Sequence, residues 1–125
     1  MADREGWDSM KMSKLRFGSL QIDGEKYTKD VVLEGGKLRT RKKKPSREFR
    51  DQFDHTPVSP REEIPWDCKR LVIGTGMFGR LPVMEEVFEE ARGRGVELVI
   101  CTTPEAVQKL KEDPADTNAI LHLTC

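Results

Sequence analysis

Leu71-Val72-Ile73-Gly74-Thr75-Gly76-Met77-Phe78-Gly79 decides the fold of this chain. Three apolar residues run into a glycine-rich turn that matches G-x-G-x-x-G. The next stretch is amphipathic. Over 81–92, Val83, Met84, Val87, Phe88 and Ala91 share one helical face, and Glu85, Glu86, Glu89 and Glu90 share the other. The pattern predicts a strand, a tight turn and a helix. Pro82 suits the first helical turn, where its missing N–H costs nothing. Gly93 and Gly95 suit the helix end.

The same alternation continues toward the C-terminus. Val96 to Cys101 reads as a second apolar strand. Thr103-Pro104-Glu105 reads as a helix start with Thr103 as N-cap, and Ala106, Val107 and Leu110 as the buried face. Pro114 stops that helix, and Ala119-Ile120-Leu121-His122-Leu123 is a third strand. Strand–helix–strand–helix–strand with short links implies parallel strands around 71–73, 96–100 and 119–123, joined by right-handed crossovers. Val72, Val87, Phe88, Val99, Leu110 and Leu121 are the expected core.

Toward the N-terminus the signal is β-rich and then irregular. Phe17, Leu20 and Ile22 surround a short strand, and Asp23-Gly24 is a turn. Val31-Val32-Leu33 is a strand, Gly35-Gly36 a turn, and Lys37 to Arg41 another strand. Prolines 45, 57, 60 and 65 exclude long elements from the following segment, although Arg47 to Phe53 fits a helical turn. Residues 1–14 are polar and aperiodic and read as a disordered tail. The organisation expected is one α/β domain over 15–125.

Composition bounds the function. The chain has 125 residues and balances 22 Lys and Arg against 22 Asp and Glu, so its overall charge favours neither nucleic acid nor membrane. No apolar run approaches the ~20 residues of a membrane helix. The N-terminal residues resemble neither a signal peptide nor a transit peptide, which makes the cytoplasm the default. Cys68, Cys101 and Cys125 are odd in number and widely spaced, which argues against a disulfide framework.

Each chemical motif has a specific reading and a plainer one. The glycine turn can hold an anion at a helix N-terminus. Dinucleotide binding also needs a ribose-binding acid at the end of the next strand, but that strand ends Val99-Ile100-Cys101-Thr102 and Glu97 lies at its beginning. No cofactor is therefore expected. Weak anion binding by Gly74, Thr75, Gly76, Met77 and Gly79, with Arg80 as the adjacent cation, is retained. The basic run over 39–47 has only Phe49 and Phe53 nearby as stacking rings, so nucleic acid is disfavoured and a solvated strand and loop preferred. His55, His122 and Cys125 are the remaining ligand-binding candidates. Zinc-type spacing is missing, and no metal site is expected. Cys101 precedes a helix start, the position that activates a thiol, but a buried inert thiol is the commoner outcome. Trp66 is expected to seal the sheet edge.

Several segments together resemble a known family. Leu15 to Tyr27 is similar to its opening hairpin, Leu71 to Gly76 to its central strand and turn, Thr103 to Val107 to its helix start, and Asn118 to Cys125 to its ending, His-x-Thr-Cys. The family holds archaeal and bacterial proteins, the adipogenesis-associated domain protein and mitochondrial complex I assembly factor 3. The resemblance implies a compact α/β fold: a mixed central sheet, with a parallel βαβαβ C-terminal part and an N-terminal β-hairpin portion. It implies no reaction and supplies no catalytic residues. Some members carry a tryptophan–arginine pair in the region of residues 39–50, where this chain has no tryptophan. The function expected is a non-catalytic interaction or assembly domain with a protein partner. The alternative is a ligand-binding or enzymatic domain using the Gly74–Gly79 turn.

Overall fold

A computed structural model describes residues 10–125. Residues 1–9, which include Trp7 and most of the expected tail, lie outside the described part.

Three short strands open the fold: β1 (Met12–Arg16), β2 (Ser19–Ile22) and β3 (Glu25–Tyr27), an antiparallel sheet in that order. Met12 pairs with Ile22 and is 4% exposed, so the ordered domain starts inside the segment expected to be tail. The hairpin β4 (Val31–Glu34) and β5 (Lys37–Thr40) follows, turned by Gly35 and Gly36, both at positive φ. A 3-10 helix (Lys44–Phe49) and α1 (Arg50–Phe53) carry the basic segment. The C-terminal half is β6 (Arg70–Gly74), α2 (Glu85–Arg94), β7 (Glu97–Cys101), α3 (Thr103–Glu112) and β8 (Thr117–Leu121).

The main sheet has the order β5-β4-β8-β6-β7. β6 is parallel to both β7 and β8, whereas β4 is antiparallel to β8 and β5. This is the expected mixed sheet with its parallel βαβαβ part. The chain moves outward from β6 to β7 and then returns past β6 to β8. Right-handed crossovers in opposite directions place α2 and α3 on opposite faces. The core is accordingly double. On one face α3 (Ala106, Val107, Leu110) and the small sheet (Met12, Leu20, Ile22) cover Val72, Ala119 and Leu121. On the other, Met84, Val87, Val58 and Ile64 cover Leu71, Ile73 and Ile120. β8 lies between strands and under both layers, so all five of its residues are buried.

Four expectations need correction. α2 begins at Glu85 with Met84 as N-cap, so Pro82 and Val83 precede the helix. Val83 instead bridges Val58 in extended conformation. The N-cap of α3 is Thr102, not Thr103: its side chain accepts from the Glu105 N–H, and Glu105 reaches back to the Thr102 N–H at 3.0 Å. This is a complete capping box. Phe88 and Val99 are only half-buried, whereas Val72, Val87, Leu110 and Leu121 are buried as expected. The buried stripe of α2 runs through Val87 and Ala91, leaving Phe88 beside it, and β7 is an edge strand that its neighbours cover incompletely.

Candidate functional site

Strand order fixes where a site can form. β7 and β8 leave β6 in opposite directions, which opens a crevice beyond the carboxyl ends of β6 and β8. The glycine turn leaves β6 there, and His122 to Cys125 leaves β8. The antiparallel register adds a third participant. Val31 of β4 faces Leu121 of β8 and Thr40 of β5. Asp30, one residue before β4, therefore meets His122 and Arg41, one residue beyond β8 and β5.

The glycine turn differs from its expected role. Its amides do not point into open space. Gly76 N–H donates to Thr103 Oγ1 at 2.9 Å, Met77 N–H to the Thr124 carbonyl at 2.7 Å, and Arg80 N–H to the Cys125 carbonyl at 3.0 Å. Thr75 N–H donates to Cys101 at 2.8 Å, and His122 N–H returns a bond to the Gly74 carbonyl at 2.9 Å. α2 begins well after the turn, and the helix N-terminus that does meet it, that of α3, spends its Thr103 N–H on the Gly76 carbonyl at 3.0 Å. Gly76 has φ +107°, and a Cβ there would lie 2.3 Å from the Cys125 carbonyl carbon. The glycines hold the chain's own C-terminal segment in the space where an anion was expected. Met77, Gly79 and Arg80 lie outside the two cavities described next.

His55, His122 and Cys125 are brought together. They line one cavity of about 370 Å³ with Lys43, Arg47 and Arg50. An adjoining cavity of about 660 Å³ takes in Thr28, Lys29 and Asp30. Lys43, Arg47, His122 and Thr124 line both. Cys125 Sγ approaches His55 Nδ1 at 3.9 Å. Among the described residues Lys43, Arg47 and Arg50 form no ion pair.

Arg41 departs from the solvated strand and loop expected of the basic run. Its side chain is 1% exposed. It donates to Glu62 at 2.8 and 3.0 Å, to Asp30 at 3.0 Å and to the Pro57 carbonyl at 3.0 Å. Ser46 Oγ joins the same carboxylate at 2.7 Å. This buried network ties the basic 3-10 helix to the end of β5, and so aims the exposed cations into the cavities.

Asp30 is the second element missed in the sequence. Oδ2 lies 2.7 Å from His122 Nδ1, and Oδ1 accepts from the Leu123 N–H at 3.1 Å. Burial pushes the Asp30 carboxyl up, but the His122 hydrogen bond and charge, the Arg41 charge and the Leu123 N–H outweigh it. The net result lies below the ordinary aspartate value. On its far side, His122 Nε2 lies 3.1 Å from Thr124 Oγ1. Cys101 takes no part: burial, then the Glu105 charge, push its thiol up. Among the described residues, no group of three or more His, Cys, Asp or Glu side chains could hold a metal ion.

Comparison with solved structures identifies the architecture. A conserved hypothetical protein from Pyrococcus horikoshii OT3 superposes with a TM-score of 0.77 at 26% identity, over 93% of this chain and all of that one. The MT938 protein gives 0.70 at 22% identity, over 94% of this chain and all of that one. A Bordetella pertussis protein described as a Mth938-like domain gives 0.58 at 10% identity, over 95% and 87%. The fold is Mth938-like. No protein-family model and no curated protein sequence matches the chain. The likeness is one of fold. The cations, histidines and carboxylate around the crevice are read from this chain alone. No helix among the described residues is long and apolar enough to cross a membrane.

Proposed function

We propose that the chain binds a small anionic ligand, bearing a phosphate or carboxylate group, in the crevice beyond β6 and β8. The observation that carries this reading is the convergence of Lys43, Arg47 and Arg50 on adjoining cavities that His122 and Thr124 also line. The chain is neutral overall, so positive potential here is local. Concave walls of low dielectric concentrate such a field on an anion. The buried Arg41–Glu62 pair supports the reading by holding these cations in place before any ligand arrives. Thermal denaturation with inorganic phosphate, against chloride at matched ionic strength, tests it. A ligand of the native state raises Tm with saturation. A saturable rise that Arg47→Gln reduces is expected. Equal Tm in phosphate and chloride would exclude the site.

A second reading, a protein-interaction or assembly domain, is favoured by one feature. Phe17 and Phe78 are 58% and 67% exposed, with ring centroids 6.0 Å apart. Paired exposed rings offer a seat for a partner's apolar side chain. Substituting both rings by serine is expected to abolish capture of a partner that the wild-type chain retains. Retention by the double variant would remove this reading.

A further inference from the structure

We infer that Thr124, His122 and Asp30 form a catalytic relay, with Thr124 as nucleophile, that hydrolyses a carboxylic ester carrying an anionic group. The choice of an anionic ester rests on the anion-binding reading above; the relay rests on its own geometry.

Donor and acceptor roles follow from the network. The Asp30 carboxylate accepts from Arg41 and from the Leu123 N–H. Ionised, it has no proton to give, so at 2.7 Å its remaining bond requires a proton on His122 Nδ1. A neutral imidazole with Nδ1 protonated presents a lone pair at Nε2. Thr124 Oγ1, 3.1 Å from Nε2, therefore donates its hydroxyl proton to it. This is the orientation in which a histidine acts as general base on a hydroxyl. The Thr124 backbone is pinned by the Met77 N–H, so the hydroxyl is held on its histidine. Both side chains open onto the cationic cavities.

The chemistry balances without a cofactor. Thr124 Oγ1 bonds to the ester carbonyl carbon, and its proton passes to His122 Nε2. The tetrahedral intermediate collapses, the C–O bond to the alcohol breaks, and Nε2 gives the proton to the leaving oxygen. Water then attacks the acyl-threonine with His122 again as base, releasing the acid and restoring the hydroxyl. Positive charge from Lys43, Arg47 and Arg50 favours the developing oxyanion. Asp30 is a positioning residue: it fixes the imidazole tautomer and stabilises the imidazolium.

The test uses a neutral fluorophosphonate, which needs no anion site, on a Cys125→Ala background that removes the cavity thiol without adding a hydroxyl. Peptide mass spectrometry is expected to find one adduct, on Thr124. Labelling should persist in Thr124→Ser, disappear in Thr124→Val and fall on the order of 100-fold in His122→Asn. Absence of a Thr124 adduct under conditions that fully label a serine hydrolase would overturn the relay. So would undiminished labelling of His122→Asn. Imidazole nitrogen spectra of the neutral ring give an independent readout. His122 is expected with its proton on Nδ1, and Asp30→Asn should shift the proton toward Nε2. An Nε2-protonated wild type would contradict the assignment. Labelling without phosphate binding would retire only the anion reading; phosphate binding without labelling would retire only the relay.

Discussion

Asp30 Oδ2 and His122 Nδ1 lie 2.7 Å apart, although 92 positions separate them in the chain. The antiparallel register of β4 on β8 makes this contact, and Arg41 adds its charge to the same carboxylate at 3.0 Å. A structural bond and a candidate catalytic one thus share a single side chain.

The first prediction concerns acid. The Asp30 carboxyl is held below its ordinary value, so its ionised form stabilises the folded state. The sign follows directly: this contribution is complete above the ordinary aspartate pKa of about 4, and is lost as pH falls through the lower folded value. Urea denaturation of wild type and Asp30→Asn should differ most near neutrality, and the gap should close in strong acid. A gap independent of pH would show that the carboxylate charge contributes nothing.

Arg41→Met should be among the most damaging single substitutions. It leaves Glu62, whose side chain is 3% exposed, and Asp30 without their cation. Removing one partner of a buried pair costs about 3–5 kcal/mol, a large part of the roughly 5–15 kcal/mol that stabilises a domain of this kind. Chemical denaturation checks this. A loss below about 1 kcal/mol would place Arg41 with ordinary surface pairs.

Gly76→Ala should strain the backbone and displace the C-terminal segment. The added Cβ meets Cys125 backbone at 2.3 and 2.7 Å and the His122 ring at 2.9 Å, at φ +107°. The left-handed strain alone costs about 1–3 kcal/mol, and the clash with rigid backbone adds to it. Reduced stability together with altered His122 ring shifts is expected. Wild-type stability and shifts would contradict the role given to the turn.

Much of the fold was legible because β6, β7 and β8 carry short apolar runs, while α2 buries Val87 and Ala91 and α3 buries Ala106, Val107 and Leu110 at helical spacing. Boundaries were less legible. Val83 and Met84 fit the phase of α2, yet tertiary pairing with Val58 draws Val83 into extended backbone. Of the site, His55, His122 and Cys125 were visible by residue type. Asp30 was not, because its contact with His122 arises from strand register; Thr124 stands only two residues from His122, but nothing in His-x-Thr-Cys marks its hydroxyl as the partner of the ring. What fills the G-x-G-x-x-G turn is not written in its own residues. Its shape is the one a phosphate would need, but the carbonyls of Thr124 and Cys125 and the Thr103 hydroxyl already occupy its amides.

The most direct measurement is an amide chemical-shift titration of the chain with inorganic phosphate. Saturable shifts are predicted at Lys43–Arg50, His55 and His122–Thr124, with Glu85–Arg94 unmoved. Shifts confined to residues 74–82, or none at tens of millimolar phosphate, would contradict an anion site beyond β6 and β8.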